Sequence, residues 1–105
     1  MSMFEPLILS PEEALRLRQQ AELAIGEYVA RGRKVYPGMP LARLLGALGR
    51  FGITVEEAPH ALRVLGARVV EVPSFVAKYN YRVTFSDELL ARCRRAYEEY
   101  RRSES

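Results

Sequence analysis

Leu41-Ala42-Arg43-Leu44-Leu45-Gly46-Ala47-Leu48-Gly49-Arg50-Phe51-Gly52-Ile53-Thr54 is the stretch on which the fold turns. Pro40 precedes it as a helix opener, and Leu41, Leu44, Leu45, Leu48 and Phe51 recur at helical spacing, which predicts a helix over 40–51. Arg43 and Arg50, seven apart, project together from the opposite side. Gly52 supplies the C-cap, and Thr54 with Glu57 reads as a capping box. A shorter helix over 55–66 follows. Ala58, Ala61, Leu62 and Leu65 are spaced for burial, and Pro59 either kinks this helix or marks its first turn. His60 and Arg63 are expected to face outward, opposite Leu62 and Leu65.

Downstream the period changes from 3.6 to two. Residues 68–72 read as a strand, and Tyr81, Val83 and Phe85 alternate with Arg82 and Thr84 in a second, predicting a β-hairpin over 68–85. Its tip holds Lys78, Phe75 and Tyr79. Tyr81 and Phe85 read as the inward residues of a strand, with Phe75 plugging the tip, rather than as a platform for stacking unpaired bases. Upstream, Ser10-Pro11-Glu12-Glu13 combines a cap, a proline at the first turn and a capping-box glutamate. A helix over 10–31 follows, with Ala14, Leu17, Ala21, Ala24, Ile25, Tyr28 and Val29 on one face. Leu15 and Leu23 fall outside that stripe. Residues 4–9 are a short apolar lead-in, and 32–40 a basic loop punctuated by proline and glycine. Ser86 opens a last helix over 87–102, with Leu89, Leu90, Cys93, Ala96, Tyr97 and Tyr100 on its apolar side.

The order helix, helix, glycine turn, helix, hairpin, helix predicts one α+β domain over 1–105, mainly helical, with one antiparallel hairpin. Leu44-Leu45-Gly46-Ala47-Leu48, the turn Gly52-Ile53-Thr54, the run Ala61-Leu62-Arg63-Val64-Leu65-Gly66 and the hairpin together resemble a winged helix-turn-helix over about 41–85. The resemblance is to the small DNA-binding domains of phage and plasmid regulators and replication proteins. It implies a recognition helix at about 55–66 in the major groove and a hairpin wing on the backbone or minor groove.

Charge is distributed unevenly. Residues 1–30 carry a net −3, residues 31–86 a net +6, and residues 87–105 none, so the whole-chain +3 hides a basic middle. Such asymmetry suits a polyanionic partner. The residues expected to meet duplex DNA are Arg43, Arg50, His60, Arg63, Arg68, Lys78 and Arg82, with Arg31, Arg33 and Lys34 reaching flanking backbone. Arginine suits the task because its planar fork donates two parallel hydrogen bonds to a phosphate. Glu56, Glu57 and Pro59 fit an alternative better, in which the same surface docks on a protein such as a polymerase.

Other chemistries find little support. One His, one Asp and one Cys cannot jointly furnish a triad, a metal centre and a spare base, so no enzyme, metal or cofactor is expected. A single cysteine excludes an internal disulfide. No apolar run approaches the roughly 20 residues of a membrane helix, and no secretory signal opens the chain, so a cytoplasmic, non-membrane protein is expected. The 14 Arg against 2 Lys suit a heat-adapted or GC-rich source. Leu15 and Leu23 suggest a homodimer built by the first and last helices.

Overall fold

Ser10 caps the first helix as its spacing predicts. In the computed structural model, which describes residues 9–73 and 80–104, its hydroxyl accepts from the Glu13 amide at 3.2 Å and donates to the Glu13 carboxylate at 3.1 Å. Helix α1 (Pro11–Ala30) then runs twenty residues. Leu17, Ala21, Ala24 and Ile25 are fully buried along it. Strand β1 (Met39–Pro40), a 3-10 turn (Leu41–Leu44), α2 (Leu45–Arg50) and α3 (Ala58–Leu65) follow. Strands β2 (Arg68–Glu71) and β3 (Tyr81–Thr84) and helix α4 (Asp87–Glu104) complete the chain.

The molecule is therefore α+β and mainly helical. Its sheet has three antiparallel strands in the order β1-β3-β2, with β3 in the centre. Val83 sits opposite both Met39 and Val69, and Arg82 opposite both Pro40 and Val70. Met39, Tyr81 and Val83 are buried against the helices, while Arg68, Val70 and Arg82 lie on the outer face.

Three expectations are corrected here. The stretch 40–51 is not one helix. Pro40 is extended (φ −64°, ψ 133°) and belongs to β1, the next four residues form the 3-10 turn, and only six residues are α-helical. Two glycines inside so short a helix weaken its intrinsic preference, so tertiary contacts set its limits. The hairpin is also not alone, because β1 adds the third strand. Finally, the 55–66 helix begins at Ala58, with Pro59 in its first turn rather than at a kink. The Thr54–Glu57 box does form: the Thr54 amide donates to the Glu57 carboxylate at 3.0 Å, and the Glu57 amide to the Thr54 hydroxyl at 3.2 Å. It closes the turn just before α3. Gly52, at φ +83°, makes the reversal between α2 and that turn, a backbone state other residues adopt at a cost.

Helix α1 is the spine, with α4, α3 and α2 packed against it. At Gly26 the approach of α4 is so close that a Cβ would fall inside the Cys93 carbonyl oxygen. Arg92 locks the same seam. Its Nε donates to Glu22 at 3.1 Å, and its Nη2 to the Leu65 carbonyl at the end of α3 at 2.7 Å. Arg92 thus binds across the helix seam rather than to Glu88, one turn away on α4. Along α4 itself, Arg94 pairs with Glu98 one turn away at 3.2 Å. The apolar sides of α1 and α4 are thus turned on each other, leaving Leu23 half-buried and Leu15 exposed. Among the described residues no helix is long and apolar enough to cross a membrane.

Candidate functional site

The end of α1 sets the position of the basic loop. The Arg33 amide donates to the Tyr28 carbonyl at 3.2 Å and the Gly32 amide to Val29 at 2.9 Å, so the chain leaves the helix along a fixed path. This brings Arg31 and Arg33 beside Arg43 and Arg50, and the four arginines line one open cleft of about 360 Å³. Tyr28, Gly46 and Ala47 complete its walls.

Glu27 organises the cleft from below. Its side chain is only 11% exposed, and its Oε1 accepts from Arg50 Nη2 at 2.6 Å and lies 3.8 Å from Arg31 Nε. Burying a carboxylate is costly unless it is paired, so Glu27 and the two guanidiniums hold one another in place. Arg50 therefore does not project freely, as its spacing suggests: it is half-exposed and tied to α1. Arg33 and Arg43 are exposed and make no ion pair among the described residues. Four guanidiniums against one carboxylate leave the cleft strongly cationic. Glu27 is the residue beneath this cleft that the sequence reading does not single out. Its signal was present, since it lies three residues beyond Ala24 on the buried stripe and four before Arg31.

The remaining expected contacts fall elsewhere. Arg63 is the exposed charged residue of α3. Arg68 and Arg82 share the outer face of the sheet, with Val70 beside Arg82. These three arginines also make no ion pair among the described residues and are not among the cleft residues. Lys78, with Phe75 and Tyr79, lies outside the described residues. Tyr81 and Phe85 are buried, as their alternation predicts.

His60 needs correcting. It is buried rather than outward-facing, and cannot present its ring to a partner as α3 now stands. The physical reason is that α3 is covered on two sides. Helix α1 packs on one flank, while Pro59 meets Pro40, Leu41 and Tyr81 around a small hollow on another. Six of the eight α3 residues are buried as a result. Burial, with the Arg63 charge adding to it, holds the His60 imidazole below its ordinary pKa.

The Cys93 thiol is buried and pushed up to about 12, chiefly by desolvation with the Glu22 charge adding to it, which makes it an inert packing group. Glu57 sits below the ordinary carboxylate range because the Thr54 amide donates to it and Arg16 pairs with it at 2.9 Å. Among the described residues no cluster of His, Cys, Asp and Glu could hold a metal ion. No protein-family model, curated protein or solved structure matches the chain.

Proposed function

We propose that this chain is a non-enzymatic duplex DNA-binding protein of winged helix-turn-helix type, a regulator or accessory replication factor that grips phosphates more than it reads bases. One observation carries the reading. Two helices joined by a glycine turn stand between β1 and a β2–β3 hairpin, and β1 pairs with β3 to give the order β1-β3-β2. That connectivity suits a hairpin wing following a helix-turn-helix, which supports the reading. Around it Arg43, Arg63, Arg68 and Arg82 are exposed without internal ion pairs among the described residues. Base readout rests on Arg63 alone of the charged α3 residues, so affinity should come mainly from phosphates and depend steeply on salt.

The test is a salt titration against random duplex and single-stranded DNA. Four phosphate contacts give a log–log slope of about −3.6, at about 0.9 per contact. Arg63→Ala and Arg43→Ala should each weaken duplex binding and flatten the slope by about one contact. No duplex binding even at low salt refutes the reading, and unchanged affinity in both variants shows that the face is wrong. A homodimer through Leu15, which is 53% exposed, belongs to the same proposal and fails if sedimentation at high concentration gives a 12 kDa monomer. The second reading, a protein-docking adaptor, is favoured by the burial of α3, which leaves little helix surface for a DNA groove.

A further inference from the structure

We infer that the cleft between the end of α1 and α2 is a site for a compact diphosphate, either inorganic pyrophosphate or the diphosphate of a nucleotide, with Arg43 shared between this cleft and the proposed duplex-binding face. The inference needs only the cleft and stands whether or not the chain binds DNA. Concavity is the first argument. Arg31 and Arg33 come from one side and Arg43 and Arg50 from the other, around a space of about 360 Å³. A groove-binding face is convex, whereas an anion seated in a cleft lined by four arginines can accept from more than one guanidinium at once.

Charge is the second argument. With Glu27 counted, the four arginines leave three positive charges. A terminal diphosphate carries about three negative charges once its last proton, with a pKa of about 6, is lost. Preorganisation is the third. Glu27 holds Arg50 through a 2.6 Å hydrogen bond and draws Arg31 to 3.8 Å, while Arg33 and Arg43 stay unpaired among the described residues and free to close on a ligand. The floor is also open: a Cβ built on Gly46 meets nothing within 4 Å, so phosphate oxygens can approach the α2 backbone there. Tyr28 stands on the wall, where an aromatic ring can stack on a nucleobase.

The test is calorimetric titration at 150 mM salt with inorganic pyrophosphate, with ADP and with a 20-base-pair duplex. Pyrophosphate is expected to bind one per chain. Arg33→Ala and Arg43→Ala should each weaken it at least tenfold, with thermal stability unchanged because neither side chain is tied into the fold. Arg95→Ala, an equal loss of charge on α4, should change it less than twofold. ADP binding more tightly than pyrophosphate, with the advantage lost in Tyr28→Leu, assigns the diphosphate to a nucleotide. Equal binding assigns it to pyrophosphate itself; either result supports the site. No binding of pyrophosphate or ADP at several millimolar overturns the inference, and duplex binding that still depends on Arg43 would then make the cleft a backbone contact. An equal loss in Arg95→Ala also overturns it, by showing only a net-charge effect.

Discussion

Replacing Gly26 by alanine should destabilise the protein, although alanine is the better helix former. A Cβ at that position would lie 2.6 Å from the Tyr97 Cβ and 2.8 Å from the Cys93 carbonyl carbon. Carbon atoms pack at about 3.5–4.0 Å, so α1 and α4 must part by about 1 Å. The obstacle is main chain and a Cβ rather than the end of a mobile side chain, so no rotamer change can relieve it. Overpacking of this kind costs about 1–3 kcal/mol, and a rigid neighbour puts Gly26 near the top of that range. The helix preference of alanine returns about 0.5–1 kcal/mol. The clash wins, with a net loss of about 2 kcal/mol. For a domain of this size, thermal unfolding should then shift down by about 8–16 °C, at about 4–8 °C per kcal/mol. Gly46→Ala is the matched control. Its Cβ meets nothing, so the same change in α2 should leave stability unchanged or raise it by up to about 1 kcal/mol. A Gly26→Ala protein as stable as its parent would refute the close α1–α4 crossing.

Three further outcomes follow from the packing. Arg92→Ala removes two hydrogen bonds that tie α4 to Glu22 and to the end of α3, and should cost about 1–3 kcal/mol in urea unfolding; a loss below about 0.5 kcal/mol would show that the clamp is incidental. The depressed pKa of His60 means that the unfolded chain binds its proton first as pH falls. Stability should therefore be full above about pH 6.5 and decline as pH falls below it, and His60→Gln should flatten that decline when denaturant midpoints are compared between pH 7.5 and 5.5. The Cys93 thiol, buried with its pKa near 12, should react with a thiol reagent only as fast as the chain opens, so labelling at rates of a free thiol in the native protein would contradict its placement.

Most of the helical frame was legible because its signals are local. Ser10 and Glu13, Thr54 and Glu57, and Ser86 with the Leu89 amide all form the capping contacts their spacing implies. Leu17, Ala21, Ala24 and Ile25 occupy the buried stripe that a 3.6-residue period assigns them. Strand β1 is not legible locally because two residues have no period to detect; only its partner β3 makes Met39 and Pro40 a strand. The burial of His60 is hidden from a local reading for a related reason. A single amphipathic stripe predicts one buried face, whereas α3 is enclosed on two. The cleft lies beyond local reading altogether, since Arg31 and Arg50 meet only through Glu27 once α2 has packed on α1. Arg43 and Arg50 were legible as neighbours on one side of a helical stretch, but their company was not.

The short first strand also bears on how the folded chain behaves in a crowd. A sheet edge is a template for another chain, and long, flat, apolar edges promote aggregation. Here one outer strand is two residues long and ends in Pro40, whose nitrogen has no hydrogen to donate. The other, β2, is four residues long and has charged residues, Arg68 and Glu71, at its ends. Among the described residues a neighbouring copy thus finds little to pair with on either flank, and the strand most suited to pairing, β3, is already occupied on both sides. Met39 and Pro40 shield the interior of the sheet from self-association, a role out of proportion to their length.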